Sequence, residues 1–77
     1  MAQLPPDGTW LMQQIGDEVI LFHRHTEEEL VRFDPADRRD VERARKDIDA
    51  LPQLSPEQKS SAQFWAGYFY ACASWGT

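Results

Sequence analysis

Apolar and polar positions alternate from Thr9 to His25, and this pattern predicts two β-strands. The runs TWLMQQI and EVILFHRH flank Gly16 and Asp17, and a glycine at the first of two loop positions is typical of a type II′ hairpin. That loop fixes the pairing of the strands: Gln14 faces Val19, Met12 faces Leu21, Leu11 faces Phe22 and Trp10 faces His23. One sheet face then carries Leu11, Ile15, Ile20 and Phe22.

The next segment, HTEEELVRFDP, is compatible with either a helix or a strand. Thr26 with Glu29 resembles a helix capping box, whereas LVRF alternates as a strand does. We favour the strand, because a helix begun at Thr26 would end before Pro35 after about one and a half turns. A loop over residues 26–29 then pairs Phe22 with Phe33, which completes a three-stranded meander.

This pairing gives the meander two apolar faces. Val31 and Phe33 join the face of Ile20 and Phe22, and we expect two helices to cover that face. The opposite face is far more apolar than a solvated sheet surface should be, since it carries Trp10, Met12, Val19, Leu21, His23, His25, Leu30 and Arg32. We therefore expect another chain to cover it.

Helical spacing of apolar residues begins in the segment DPADRRDVERARKDIDAL. Asp34 is a candidate N-cap with Pro35 at the first helical position, and Pro52 follows the last residue. These signals predict a first helix over residues 35–51. Its apolar stripe is Val41, Ala44, Ile48 and Leu51, and its other faces are charged, with the favourable pairs Glu42 with Lys46 and Arg45 with Asp49.

A second helix is predicted over residues 55–75, SPEQKSSAQFWAGYFYACASW. Ser55, Pro56 and Gln58 form a reciprocal capping pattern at its start. At about 100° per residue, one broad face holds Phe64, Trp65, Tyr68, Phe69, Cys72 and Trp75, and a seam of smaller residues holds Ala62, Ala66, Tyr70 and Ala73. We expect Phe64, Tyr68, Phe69 and Cys72 in the core, and Tyr70 and Trp75 as anchors for a partner.

Together these elements predict an α+β fold in one domain of 77 residues. A flexible arm over residues 1–8 precedes a three-stranded antiparallel β-meander over residues 9–33, and two antiparallel α-helices follow. The arm contains a Pro-Pro-Asp-Gly turn and supplies nothing to bury. One core of this size gives only about 3–5 kcal/mol of net stability. We therefore expect a homodimer that covers the second sheet face.

Composition argues against most kinds of chemistry. The lone Cys72 excludes an internal disulfide, and among aromatic residues its thiol is hard to ionise. His23 and His25 could offer two imidazoles to a metal, but a third ligand would have to come from afar, so we expect no metal and no cofactor. A net charge of −5 disfavours nucleic acid as a partner. The chain has no long apolar run and no leader pattern, which predicts a cytoplasmic protein without membrane contact.

The opening PPDGTWLMQQIGDEVILFHRHTEEELVRFDP and the segment FWAGYFYACAS resemble small uncharacterised proteins of actinobacteriophages, the mycobacteriophages especially. The resemblance spans most of the chain and carries no functional motif. It implies a non-enzymatic modulator of a host protein in the host cytoplasm, or alternatively a small structural virion component.

The sequence thus predicts a protein-interaction module, not an enzyme, that binds itself or a host or phage protein. Its predicted partner interface is Trp10, Met12, Leu21, His23, Leu30, Tyr70 and Trp75. A metal-binding protein that uses His23 and His25 is a further alternative.

Overall fold

A four-stranded antiparallel sheet and two helices make up the computed structural model, which describes residues 2–5 and 7–75. The strands, in their order across the sheet, are β1 (Ala2–Gln3), β2 (Trp10–Ile15), β3 (Glu18–His23) and β4 (Glu29–Phe33). The helices are α1 (Arg38–Asp49) and α2 (Pro56–Trp75). The predicted α+β class is confirmed, with one strand more than the sequence predicted.

The β2–β3 hairpin has the predicted register. Trp10 lies opposite His23, and the pairing continues without interruption to Ile15 opposite Glu18. Gly16 has a φ of 62°, and Asp17 does not share this left-handed conformation. A positive φ at the first loop position alone is what a type II′ turn requires, so the glycine sets both the turn and the register.

The pairing of β3 with β4 differs from the prediction. Phe33 was expected opposite Phe22, but it lies opposite Val19, three positions away, and a bulge between Leu21 and Phe22 leaves Phe22 opposite Glu29. An odd shift turns the side chains of a strand to the other face of the sheet. Phe33 therefore shares a face with Val19 and Leu21 and not with Phe22.

The cause is a turn that begins earlier than the predicted loop over residues 26–29. The His23 carbonyl accepts a hydrogen bond from the Glu27 amide at 2.9 Å, and the His23 amide donates to the Glu28 carbonyl at 2.8 Å. Nδ1 of His23 also accepts from the amides of His25 and Thr26 at 3.1 and 3.2 Å. The imidazole thus accepts hydrogen bonds from turn amides that would pair across the sheet if β3 continued, and β3 ends at His23.

The helices cover the sheet face that the sequence left open. Met12, Val19 and Leu21 are fully buried, together with Phe33 of β4. They form one core with residues of α1, the following loop and α2, namely Val41, Ala44, Ile48, Leu54, Ala62 and Ala66. The prediction that this sheet face needs another chain to cover it is therefore wrong.

The N-terminal segment belongs to the sheet and the core. Ala2 pairs with Met12 in the β1–β2 ladder, and the Leu4 amide donates to the Trp10 carbonyl at 2.9 Å. Leu4 is fully buried. The prediction that residues 1–8 supply nothing to bury is therefore wrong, and Met1 and Pro6 lie outside the described residues.

Helix α1 begins at Arg38, three residues after the predicted start at residue 35. The Asp37 carboxylate accepts from the amides of Arg39 and Asp40, which makes Asp37 the N-cap. Asp34, the predicted cap, instead accepts from the Ala36 amide at 2.9 Å, and Pro35 is buried in that turn. Asp37, the second Asp of the DPAD sequence, is the N-cap because the residues around Pro35 form a separate turn before the helix.

The inward stripe of α1 is as predicted, but its ion pairs are not. Val41, Ala44 and Ile48 are buried. The charged pairs that the described part of α1 forms join Arg38 to Glu42, Arg43 to Asp40 and Arg43 to Asp47, where Glu42 with Lys46 and Arg45 with Asp49 had been expected.

Arg43 fastens α1 to the end of β4. Its Nη2 donates to the Arg32 carbonyl at 2.7 Å and its Nε to Asp40 Oδ1 at 2.9 Å. The other Asp40 oxygen accepts from the Asp34 amide at 2.6 Å. These hydrogen bonds, the one from Arg43 foremost, lower the pKa of the Asp40 carboxyl.

Helix α2 begins as the sequence predicts. The Ser55 amide donates to Gln58 Oε1 at 2.9 Å, and the Gln58 amide donates to Ser55 Oγ at 3.2 Å. This is the reciprocal capping box. Ala62 and Ala66 are fully buried in the contact with the rest of the core, and α2 packs chiefly on α1.

Replacing Leu4 with Ala should lower the free energy of unfolding by about 2–5 kcal/mol, because it opens a cavity in the core. Ile15→Ala is the matched control: Ile15 is 54% exposed, so the loss should stay near 0.5 kcal/mol, roughly that of a surface substitution. Urea denaturation followed by circular dichroism measures both. A Leu4→Ala protein as stable as wild type would show that β1 and Leu4 do not contribute to the core.

Asp40→Asn should flatten the dependence of stability on acid pH. Because the folded pKa of Asp40 lies below its unfolded value, its ionised carboxylate stabilises the fold at neutral pH, and that contribution is lost as pH falls through and below about 4. Chemical denaturation at a series of pH values should show a smaller loss for Asp40→Asn than for wild type. Asp17→Asn, which removes the same charge from the exposed hairpin turn, is the matched control for the loss of one negative charge.

Candidate functional site

Helix α2 turns half of its aromatic residues toward solvent. Phe64 is 66% exposed, Tyr68 50% and Trp75 86%, while Ala62 and Ala66 are fully buried. The prediction that Phe64, Tyr68 and Cys72 lie in the core is therefore wrong, and Phe69 is only half-buried. Helical spacing identified two apolar sides of α2 but did not say which one faces α1, and the small residues are the ones that fit there.

We name the outward surface the aromatic face, which consists of Phe64, Trp65, Tyr68, Phe69, Cys72 and Trp75. The Trp65 ring makes edge contacts with Phe64 at 5.4 Å and with Tyr68 at 5.2 Å between centroids, and Tyr68 meets Phe69 at 5.9 Å. Trp65 and Phe69 are half-buried and pack against the core. Edge-to-face contact is a favourable geometry for aromatic rings. The exposed rings of Phe64 and Tyr68 therefore pack on Trp65 and Phe69, which the core holds in place.

The aromatic face carries no charge. The chain has no Asp, Glu, Lys or Arg from Ser60 to Trp75. A hydrogen bond between Tyr68 and Cys72 raises the pKa of the Tyr68 hydroxyl, so this phenol stays protonated at neutral pH. Cys72 is exposed, contrary to the expectation that it lies among buried aromatic residues.

Most of the predicted sheet interface is not available to a partner. Trp10, Met12 and Leu21 are buried in the core, and Leu30 is half-buried against it. His23 is half-buried, with its ring edge against Trp10 at 4.9 Å. The predicted interface required this sheet face to be exposed. That prediction is wrong, because it assigned the side chains to the wrong face of the sheet.

The two predicted anchors on α2 have different surroundings. Tyr70 is half-buried and packs against the core. Trp75, at the last helical position, is 86% exposed and belongs to the aromatic face. Of the predicted interface residues, Trp75 has the surroundings of a contact residue, and its role in binding stays a prediction.

The His23 and His25 side chains lie near each other but not as a strand would place them. Their ring centroids are 5.9 Å apart, and His25 lies beyond the end of β3 in the turn. Nδ1 of His23 is already an acceptor for turn amides. In the described part of the chain, no group of three His, Cys, Asp or Glu side chains is arranged as a metal site would require.

The outer sheet face forms an open groove of about 320 Å³, lined by Gln13, Ile15, Ile20, Phe22, Glu27 and Glu29. At this face Arg32 pairs with Glu18 at 3.1 Å and with Glu29 at 2.7 Å. Apolar and charged side chains therefore alternate over the groove, as on the solvated side of an antiparallel sheet. The aromatic face of α2 is the more distinctive surface, because it exposes larger rings on a helical stretch that has no charged residue.

No family model, curated protein or solved structure matches this chain. Neither α1 nor α2, as far as the structure describes them, combines the length and the apolar character that crossing a membrane requires.

Phe33→Ala and Phe64→Ala make the same chemical change in opposite surroundings. Phe33 is 1% exposed, so its loss should cost about 3–5 kcal/mol of unfolding free energy. Phe64→Ala should stay within about 0.5 kcal/mol of wild type. Denaturation should be followed at the lowest protein concentration that tryptophan fluorescence allows, so that any association does not contribute. Equal losses for the two variants would mean that α2 faces the opposite way.

Proposed function

We propose that this chain is a non-enzymatic protein-interaction module that binds through the aromatic face of α2. The observation that supports this proposal is the exposure of Phe64, Tyr68 and Trp75 on a helical stretch without charge. Soluble monomers seldom expose a contiguous apolar patch of this kind without a binding role. Tyr and Trp are also enriched among the residues that contribute most to binding energy.

The packing beneath the rings favours binding. Trp65 and Phe69 are half-buried against the core and contact the outer rings Phe64 and Tyr68. Side chains that are already held in place lose less conformational entropy when a partner docks. The short connection between α1 and α2 favours an antiparallel helix pair, which would support α2 from behind and leave the aromatic face open.

The charge distribution favours a protein as the ligand. The chain has a net charge of −5, whereas nucleic-acid binding depends on clustered Lys and Arg side chains.

The resemblance to actinobacteriophage proteins suggests a modulator of a host protein in the host cytoplasm. A virion component is the other role, and detection of the polypeptide in purified particles would favour it.

Photo-crosslinking tests whether the aromatic face is the contact surface. A photo-activatable benzoyl-phenylalanine replaces Phe64 in one variant and Ile15 in the other, and both positions are apolar and more than half exposed. After irradiation of cells that produce the protein, the variant labelled at position 64 should yield protein adducts, including any with a second copy. The variant labelled at position 15 should yield few.

Adduct yields that are equal at the two positions, or absent at position 64, would contradict the proposal. Circular dichroism of both purified variants ensures that the comparison is made between folded proteins.

A further inference from the structure

We infer that the aromatic face binds a second copy of this chain, with the two α2 helices antiparallel around a two-fold axis between residues 69 and 70. The inference rests on the proposed function and names the partner of the same surface. It also moves the predicted homodimer contact from the sheet to α2. Three properties of the described helix support it: the spacing of its outward residues, the sizes of the residues that would meet, and the area and charge of the face.

The outward residues of α2 have the spacing of a coiled-coil seam. Phe64, Tyr68, Ala71 and Trp75 are separated by four, three and four residues, which is the alternation of a and d positions in a heptad. At the rotation of an α-helix they fall within a sector of about 60°. The buried Ala62 and Ala66 lie on the opposite side of α2, so the seam points directly away from the core.

An antiparallel register matches large residues with small ones. With the axis between residues 69 and 70, Tyr68 lies opposite Ala71 of the second copy, and Phe64 lies opposite Trp75. A parallel pair would instead place Tyr68 on Tyr68 and Ala71 on Ala71, which crowds one layer and leaves a void in another. The antiparallel arrangement is thus the one in which the face complements itself.

Gly67 gives the second copy room to approach. A Cβ atom built at Gly67 would meet no atom within 4 Å, so this side of the helix is open. Gly67 comes just before Tyr68 and flanks the seam, about 70° from its centre at the rotation of an α-helix. A small residue at such a position lets two helices come closer together, because interaxial distance depends on the side chains at the contact.

The exposed area is enough for a reversible dimer. A Phe, Tyr or Trp residue buries roughly 150–250 Å², so exposures of 66%, 50% and 86% leave about 400 Å² on each copy. Two copies supply about 800 Å² from these rings, which is below the ~1,200 Å² at which stable interfaces begin and in the range of weak, transient complexes.

The charges also favour this surface for self-association. Each copy carries a net charge of −5, which opposes association in general, so a surface without acidic residues is the one on which two copies repel each other least. The aromatic face buries no charge when it pairs with itself, so it avoids the cost of an unpaired buried ion.

Sedimentation equilibrium tests the self-association. The wild-type protein should change from monomer to dimer as its concentration rises. Tyr68→Glu should raise the dissociation constant at least about a hundredfold, because a two-fold interface would bury two unpaired carboxylates. Ile15→Glu, which adds the same charge at an exposed position on the sheet, should dimerise as wild type does. Circular dichroism checks that both variants are folded.

Disulfide formation tests the register. With Cys72 changed to Ser, chains carrying Tyr68→Cys and chains carrying Ala71→Cys should form a mixed disulfide under mild oxidation, and neither should form one alone. Disulfides within each single variant would indicate parallel helices and overturn the register. A wild-type protein that stays monomeric at high micromolar concentration would overturn the self-pairing. Adducts between position 64 and a different protein would leave the proposed function intact in that case.

Discussion

The register of β4 on β3 determines where the core of this protein lies. Because Val19 faces Phe33, the apolar residues of β4 point to the same side as Met12 and Leu21. Helix α1 follows β4 after only a short turn, and Arg43 holds it against the carbonyl of Arg32 at the end of that strand. The inner face of α1 therefore packs against this side of the sheet. Helix α2 packs chiefly on α1 and contributes its buried alanines to the same core.

Two features of the fold could be read from the sequence because short-range chemistry determines them. Gly16 allows a positive φ at the first loop position of the hairpin, and a two-residue loop leaves one register for the strands. Ser55 and Gln58 satisfy each other's backbone amides at the start of α2. Neither feature depends on the rest of the chain, which is why the sequence alone was sufficient.

The errors occurred where the outcome depends on longer-range contacts. The turn after β3 is shaped by the His23 imidazole, and residue preferences do not indicate such an acceptor. A shift of three then exchanged the two sheet faces. Strand β1 has two residues, too few for any alternation to be visible. For α2, both sides were apolar, and only the space available against the core decides that Ala62 and Ala66 turn inward.

The same limits explain why the sequence did not locate the candidate site. The sequence predicted an apolar surface that one copy leaves open but assigned it chiefly to the sheet, where Met12 and Leu21 are buried. A useful signal was present in the absence of charge from Ser60 to Trp75. A helix whose solvent side lacks Lys and Glu is unusual for a free surface, and that absence holds whichever way the helix is turned.

The alanine contact of α2 also has a consequence for how this protein can evolve. Ala has no side-chain rotamers to lose on burial, and Ala62 and Ala66 attach the helix on the side away from the exposed rings. The residues that attach α2 to the core and those of the proposed contact surface therefore occupy separate positions of a single helix. Substitutions at Phe64 or Trp75, whose side chains are 66% and 86% exposed, should cost the core little, so this surface can change in evolution while the fold is retained.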